Sequence, residues 1–137
     1  QKFYLLDKNS IDNKVVYGFS ENYESYNLNN ITKNFLINNN IKESKLNLID
    51  VDSDFYIKPK SIDLCISLVS MGYHYPLSIY LETIKEVSNE NTVFIFDIAT
   101  EYQDLDNVKK YFSKVEIIET VNSKHPRLRI ACYNIIK

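Results

Sequence analysis

Glycine is nearly missing from this chain. Its 137 residues include two, Gly18 and Gly72, where usage near ~7% would give about ten. No phosphate-cradling glycine loop and no Gly-x-Ser-x-Gly nucleophile elbow is present. Cysteine is scarce too: Cys65 and Cys132 both sit inside apolar, strand-like runs. Buried, reduced thiols are expected there, without the exposed, electropositive setting of a reactive cysteine. The two histidines, His74 and His125, have no nearby ligand cluster, which argues against a structural zinc.

Charge of one sign is also lacking. The formal net charge is -2, and no basic stripe runs along the chain, so a nucleic-acid partner is not expected. No apolar run approaches the roughly 20 residues of a membrane helix, and the first residues lack a secretory signal pattern. The expected setting is cytoplasmic, with no membrane partner. Tyr56 and Lys60 have the Tyr-x-x-x-Lys spacing of short-chain dehydrogenases. That spacing works on one face of a helix, and Pro59 between them puts the pair in a loop.

What the chain does contain is apolar residues in order. At 45% hydrophobic the composition is globular, and the length suits one domain. "KFYLLD" reads as a short buried strand ending on an acid, and "KVVYGF" as a short extended loop. From about Glu24 to Asn39, Leu28, Ile31, Phe35 and Leu36 have helical spacing, one apolar face of an amphipathic helix, and Asn38 to Asn40 can end it, since Asn tolerates the left-handed conformation. "KLNLIDV" is a second strand, followed by a loop around Pro59. "SIDLCISLVS" is nearly all apolar, as strands covered on both faces are. Pro76 suits a first helical position, and Leu77, Tyr80, Leu81 and Ile84 form the stripe of a helix running to about Ser88. "NTVFIFDI", a helix from about Asp104 to Phe112, and the strands "KVEIIETV" and "LRIACYNII" complete the chain. The last two strands are joined by a turn too short for a parallel crossover, so the final strand must run antiparallel.

Strands alternating with helices predict an α/β fold with a mainly parallel sheet and an antiparallel last strand. With its residues, that order resembles the class I S-adenosylmethionine-dependent methyltransferases, a Rossmann-like sheet. "IDLCISLVSMGYHYPLSIYLETIKEVSNENTVFIFDI" resembles the family's fourth strand, following helix and fifth strand. Its Gly-Tyr-His-Tyr-Pro stretch with Tyr80-Leu81 is similar to sugar O-methyltransferases. "FYLLD" resembles the second strand and "LIDVDSD" the third, with its loop. The family's first strand and glycine-rich loop are missing. With a start at Gln1, this leads us to expect a single methyltransferase-like domain over 1–137 that is N-terminally incomplete, or else a domain that has closed over the gap. The turn at Ser88 to Asn91 replaces a usual glycine, and an Asn there is expected to take the positive φ.

The resemblance implies S-adenosyl-L-methionine as cofactor and a small hydroxylated acceptor, with a sugar as one candidate, as methyl recipient. It assigns Asp7 to the donor's ribose, with a turn cap as the plain alternative. Asp52 is placed near the adenine, or is a solvated loop acid, and Ser70 is placed on the donor side. In open α/β sheets ligands gather at the carboxyl ends of the strands, where Ser70 to Tyr75 also falls. His74 is the candidate general base, since methyl transfer to a hydroxyl gains from positioning and from a base titrating near neutrality; a packing histidine is the plain alternative. Tyr73 and Tyr75 wall a substrate pocket or simply pack. Asp97 faces substrate or caps a helix. His125 and Arg127, on the final turn, contact an anionic or sugar substrate or lie on the surface. Two rival functions remain: an inactive methyltransferase-like interaction domain, and a plain nucleotide-binding domain.

Overall fold

A computed structural model describes residues 1–11, 26–53, 56–100, 105–122, 124 and 126–136. The "KVVYGF" segment and His125 lie outside the described residues. Those described fall into two units, one before residue 57 and one from residue 57 onward.

In the first unit β1 (Phe3–Asp7) and β4 (Leu46–Asp50) form a two-stranded parallel sheet, with Phe3 opposite Leu46 and Asp7 opposite Asp50. Two short strands, β2 (Ser10–Ile11) and β3 (Tyr26–Asn27), pair antiparallel. Helix α1 (Asn29–Asn38) stops where asparagines take over. Asn40 adopts φ 66°, and the Asn39 side chain donates to the Phe35 carbonyl at 2.8 Å, meeting one of the acceptors a helix end leaves open. The expected buried stripe of α1 is not found: Ile31 and Phe35 are 61% and 64% exposed.

The second unit holds a four-stranded sheet in the order β5-β6-β8-β7, made of β5 (Ile62–Ser67), β6 (Ser88–Ala99), β7 (Phe112–Val121) and β8 (Arg127–Ile135). Strands β5 and β6 are parallel, whereas β8 runs antiparallel to both β6 and β7. The connection before β8 leaves no room for a crossover, and this fixes its direction. Cys65 and Cys132 both stand opposite Phe94, two strands apart, and both thiols are free.

This overturns the expected fold class. The chain does not form one mainly parallel Rossmann-like sheet. It has a two-stranded parallel sheet and a separate mixed sheet in which one of three pairings is parallel. The physical reason is that β8 enters between β6 and β7, making two of the three ladders antiparallel, while no strand among the described residues joins β4 to β5.

The core of this unit lies on one face of β6. Phe94, Phe96 and Ile98 are at most 1% exposed, and alternate along the strand as a pleat requires. The Phe94, Phe96 and Phe112 rings meet at centroid distances of 5.1 to 6.1 Å. Each fully buried ring contributes about 1.5–3 kcal/mol. Leu77, Leu81, Ile84 and Val108 belong to the same buried cluster. Leu77 sits in a 3-10 turn (Leu77–Ile79), and helix α2 (Leu81–Val87) begins only afterwards. Val108 comes from α3 (Leu105–Lys109). That helix stops short of Phe112, which opens β7 instead.

Two further expectations change. No turn separates α2 from β6, since the strand begins at Ser88. The Asn89 amide and the Thr92 hydroxyl both donate to the Ile62 carbonyl, at 3.1 and 2.5 Å, and hold the strand extended. Positive φ is found at Asn40, Lys60, Val69 and Asn134 among non-glycine residues, not at Asn89 or Asn91. Strand β5, apolar on both faces, has its outer face uncovered: Leu64 and Ile66 are 52% and 56% exposed.

Candidate functional site

In the second unit the chain leaves β5 through a strained corner. Val69 has φ 55°, a conformation that costs a β-branched residue about 1–3 kcal/mol. The turn then closes tightly. The Ser70 carbonyl accepts the amides of Tyr73, His74 and Tyr75, at 2.9, 2.8 and 3.2 Å, and Gly72 donates to the Tyr75 carbonyl at 2.8 Å. The Met71 amide donates to the Ser67 hydroxyl at 2.9 Å. With these amides committed within the loop, the ring side chains remain its means of meeting a ligand.

Gly72 has φ 88°, and a Cβ there would lie 2.8 Å from Ile98 Cδ1 and 3.1 Å from the Asp97 carbonyl. The Ala99 amide donates to the Gly72 carbonyl at 3.2 Å. The turn is therefore held against the carboxyl end of β6. Tyr73 is 5% exposed, and its ring meets His74 at 4.9 Å and 88°. It serves the interior rather than an open pocket wall. His74 and Tyr75 are half-buried, and their rings lie 6.4 Å apart. Tyr75 also stands edge-on to Tyr80 at 6.5 Å.

Asp97 neither caps a helix nor faces solvent. It is fully buried, two residues before the end of β6. Arg129 Nε and Nη2 donate to its two carboxylate oxygens at 2.8 and 3.1 Å, and Arg129 Nη1 donates to Glu119 at 3.0 Å. Arg127 opens β8 rather than lying on the preceding turn. Its Nε lies 3.3 Å from Asp97 without hydrogen-bond geometry. Sequence reasoning missed Arg129 and Glu119. The available signal was the Arg-x-Arg spacing, which puts both guanidiniums on one face of a strand.

No protein-family model, curated protein or solved structure matches the chain. The site therefore rests on its own geometry.

The other candidates lie in the first unit. Asp7 is the last residue of β1 and Asp52 follows the end of its partner β4. The Asp7 carboxylate accepts the Lys8 amide at 2.8 Å, and Lys8 Nζ lies 3.9 Å from Asp52. Both acids are exposed. The structure thus brings together Asp7 with Asp52, and separately Ser70, Tyr73, His74, Tyr75, Asp97 and Arg127. His125 lies outside the described residues. Burial pushes the Cys65 thiol up to about 11 and the Cys132 thiol up to about 12, so neither is a nucleophile at neutral pH. Among the described residues no helix is long and apolar enough to cross a membrane, and no three His, Cys, Asp or Glu side chains gather as a metal site.

Proposed function

We propose that this chain is part of an S-adenosylmethionine-dependent O-methyltransferase acting on a hydroxyl of a small acceptor, with a sugar as one candidate. One observation carries the reading: the turn bearing His74 is bonded to the carboxyl end of β6, through the Ala99 amide and the Gly72 carbonyl. The turn that carries the half-buried imidazole is therefore held at the end of the strand that bears Asp97. Methyl transfer is largely a positioning problem, and a rigid turn holding a base supplies what that chemistry needs. In this reading His74 takes the acceptor proton and Ser70 contacts the donor. Tyr75 contacts acceptor.

The 137-residue chain contains no glycine-rich loop, the device that lets backbone approach the donor's methionine part. This chain alone is accordingly expected to be inactive and to bind the donor weakly. Isothermal titration with S-adenosylmethionine tests it. Weak, saturable binding that Ser70→Trp abolishes supports the reading. Tight binding contradicts the absence of half the donor site. No binding favours the second reading, an inactive methyltransferase-like interaction module, to which the apolar outer face of β5 lends support.

A further inference from the structure

The chain has two arginines, Arg127 and Arg129, and both converge on the one carboxylate of Asp97. They are not equivalent. The cluster as a whole is neutral, with two guanidiniums facing Asp97 and Glu119. Its hydrogen bonds are not shared evenly: Arg129 makes all three, two to Asp97 and one to Glu119. Arg127 Nε is ion-paired with Asp97 at 3.3 Å but is buried without a hydrogen bond among the described residues. A buried donor without a partner is costly, and more so on a charged group. A buried donor left without a hydrogen bond calls for an explanation, and ligand binding at the same side chain is one.

We propose that Arg127 binds an oxyanion, the carboxylate or phosphate of a small acceptor, at the carboxyl end of β6. The guanidinium is a planar fork suited to two-point recognition of such groups. Its side chain is 24% exposed, which leaves a ligand access. It also stands in the right place. Arg127 is opposite Ala99 in the sheet register, and Ala99 is bonded to the turn that carries His74. Lysine supplies every other cationic side chain apart from the histidines. The use of arginine at both positions of this cluster fits a need for fork geometry rather than for charge alone. The inference deepens the acceptor reading above and rests on it for the hydroxyl chemistry. Anion binding itself is measured without methyl transfer, so each can fail separately.

With two arginines, the Nε–Hε region of a nitrogen-correlated NMR spectrum contains two side-chain signals to follow. The intact chain is titrated with inorganic phosphate, with gluconate, and with glucose as a neutral control. The Arg127 signal is expected to shift saturably with at least one anion and not with glucose, while the Arg129 signal stays near its starting position. Response to gluconate assigns a carboxylate, and response to phosphate alone assigns a phosphoryl group. Arg127→Gln should weaken binding at least tenfold, and Arg127→Lys several-fold, with the Arg129 signal unmoved as a mark of an intact cluster. No saturable shift with either anion overturns the proposal. So does an equal response to glucose, or unchanged affinity in Arg127→Gln. Should either variant fail to fold, the titration of the unaltered chain decides alone.

Discussion

Arg129 and Asp97 stand opposite each other on β8 and β6 and meet in a two-point fork, with N–O distances of 2.8 and 3.1 Å. The carboxylate is fully buried, so its charge depends on that fork. Removing one member of such a pair leaves the other uncompensated. Asp97→Ala is expected to destabilise the second unit by about 3–5 kcal/mol, read as a lower urea midpoint. The double variant Asp97→Leu with Arg129→Met should recover part of the loss, because the buried carboxylate and its fork leave together, although Arg127 and Glu119 each lose a neighbour. A loss below about 1 kcal/mol for Asp97→Ala would mean that the pair is hydrated and open.

Gly72 offers a second test. Its φ of 88° and its approach to Ile98 and the Asp97 carbonyl both oppose a side chain. Gly72→Ala should cost about 1–3 kcal/mol, seen in thermal unfolding. Trimming Ile98 to Val should not restore stability, because backbone strain and the contact with the carbonyl remain. Full rescue would show that Gly72 is needed for space and not for conformation.

The thiols predict a dependence on alkaline pH. Both are shifted upward by burial, Cys65 to about 11 and Cys132 to about 12, from a usual 9.0. The folded chain keeps its thiol protons at a pH where the unfolded chain gives them up. Their contribution is therefore complete below about pH 9 and is lost as pH rises through about 11 and about 12. Urea midpoints at pH 8 and pH 10.5 should fall more for the unaltered chain than for a Cys65→Ala, Cys132→Ala double variant. Equal slopes would show that the thiols are accessible in the fold.

Among the described residues strand β5 lies at the edge of its sheet, paired to β6 alone, with Leu64 and Ile66 more than half exposed. An apolar edge invites pairing with other chains, and a lysine is a common natural guard. Ile66→Lys should lower concentration-dependent light scattering while shifting the unfolding temperature by no more than a few degrees. Unchanged scattering would place the sticky surface elsewhere, with exposed Ile31 and Phe35 of α1 the next candidates.

Parts of this arrangement were legible in the residues and parts were not. The short link before β8 dictated an antiparallel final strand, because a parallel one requires a long crossover. Asn38 to Asn40 announced the end of α1, and Asn40 takes the left-handed conformation. The apolar run at β5 announced a strand but misled about its surroundings. Residues such as Leu64 and Ile66 state a preference for burial and not whether a neighbour exists to satisfy it. The Ser88–Asn91 stretch looked like a turn by composition, but side-chain bonds from Asn89 and Thr92 to the Ile62 carbonyl overrode it. Pro76 marked a helical entry correctly in kind, though a 3-10 turn intervenes before α2. Asp97 was visible as a strand-end acid. Its partner Arg129 is 32 residues away, and only the register of β6 with β8 brings them together.

We propose that the turn over Ser70 to Tyr75 and the carboxyl end of β6 form a methyl-donor and acceptor site. Hydrogen–deuterium exchange with and without saturating S-adenosylhomocysteine addresses it directly. The account predicts slower exchange over residues 68–75, with little change in β7, and loss of that protection in Ser70→Trp. Exchange over 68–75 that is identical with and without the ligand, or protection that survives Ser70→Trp, would contradict it.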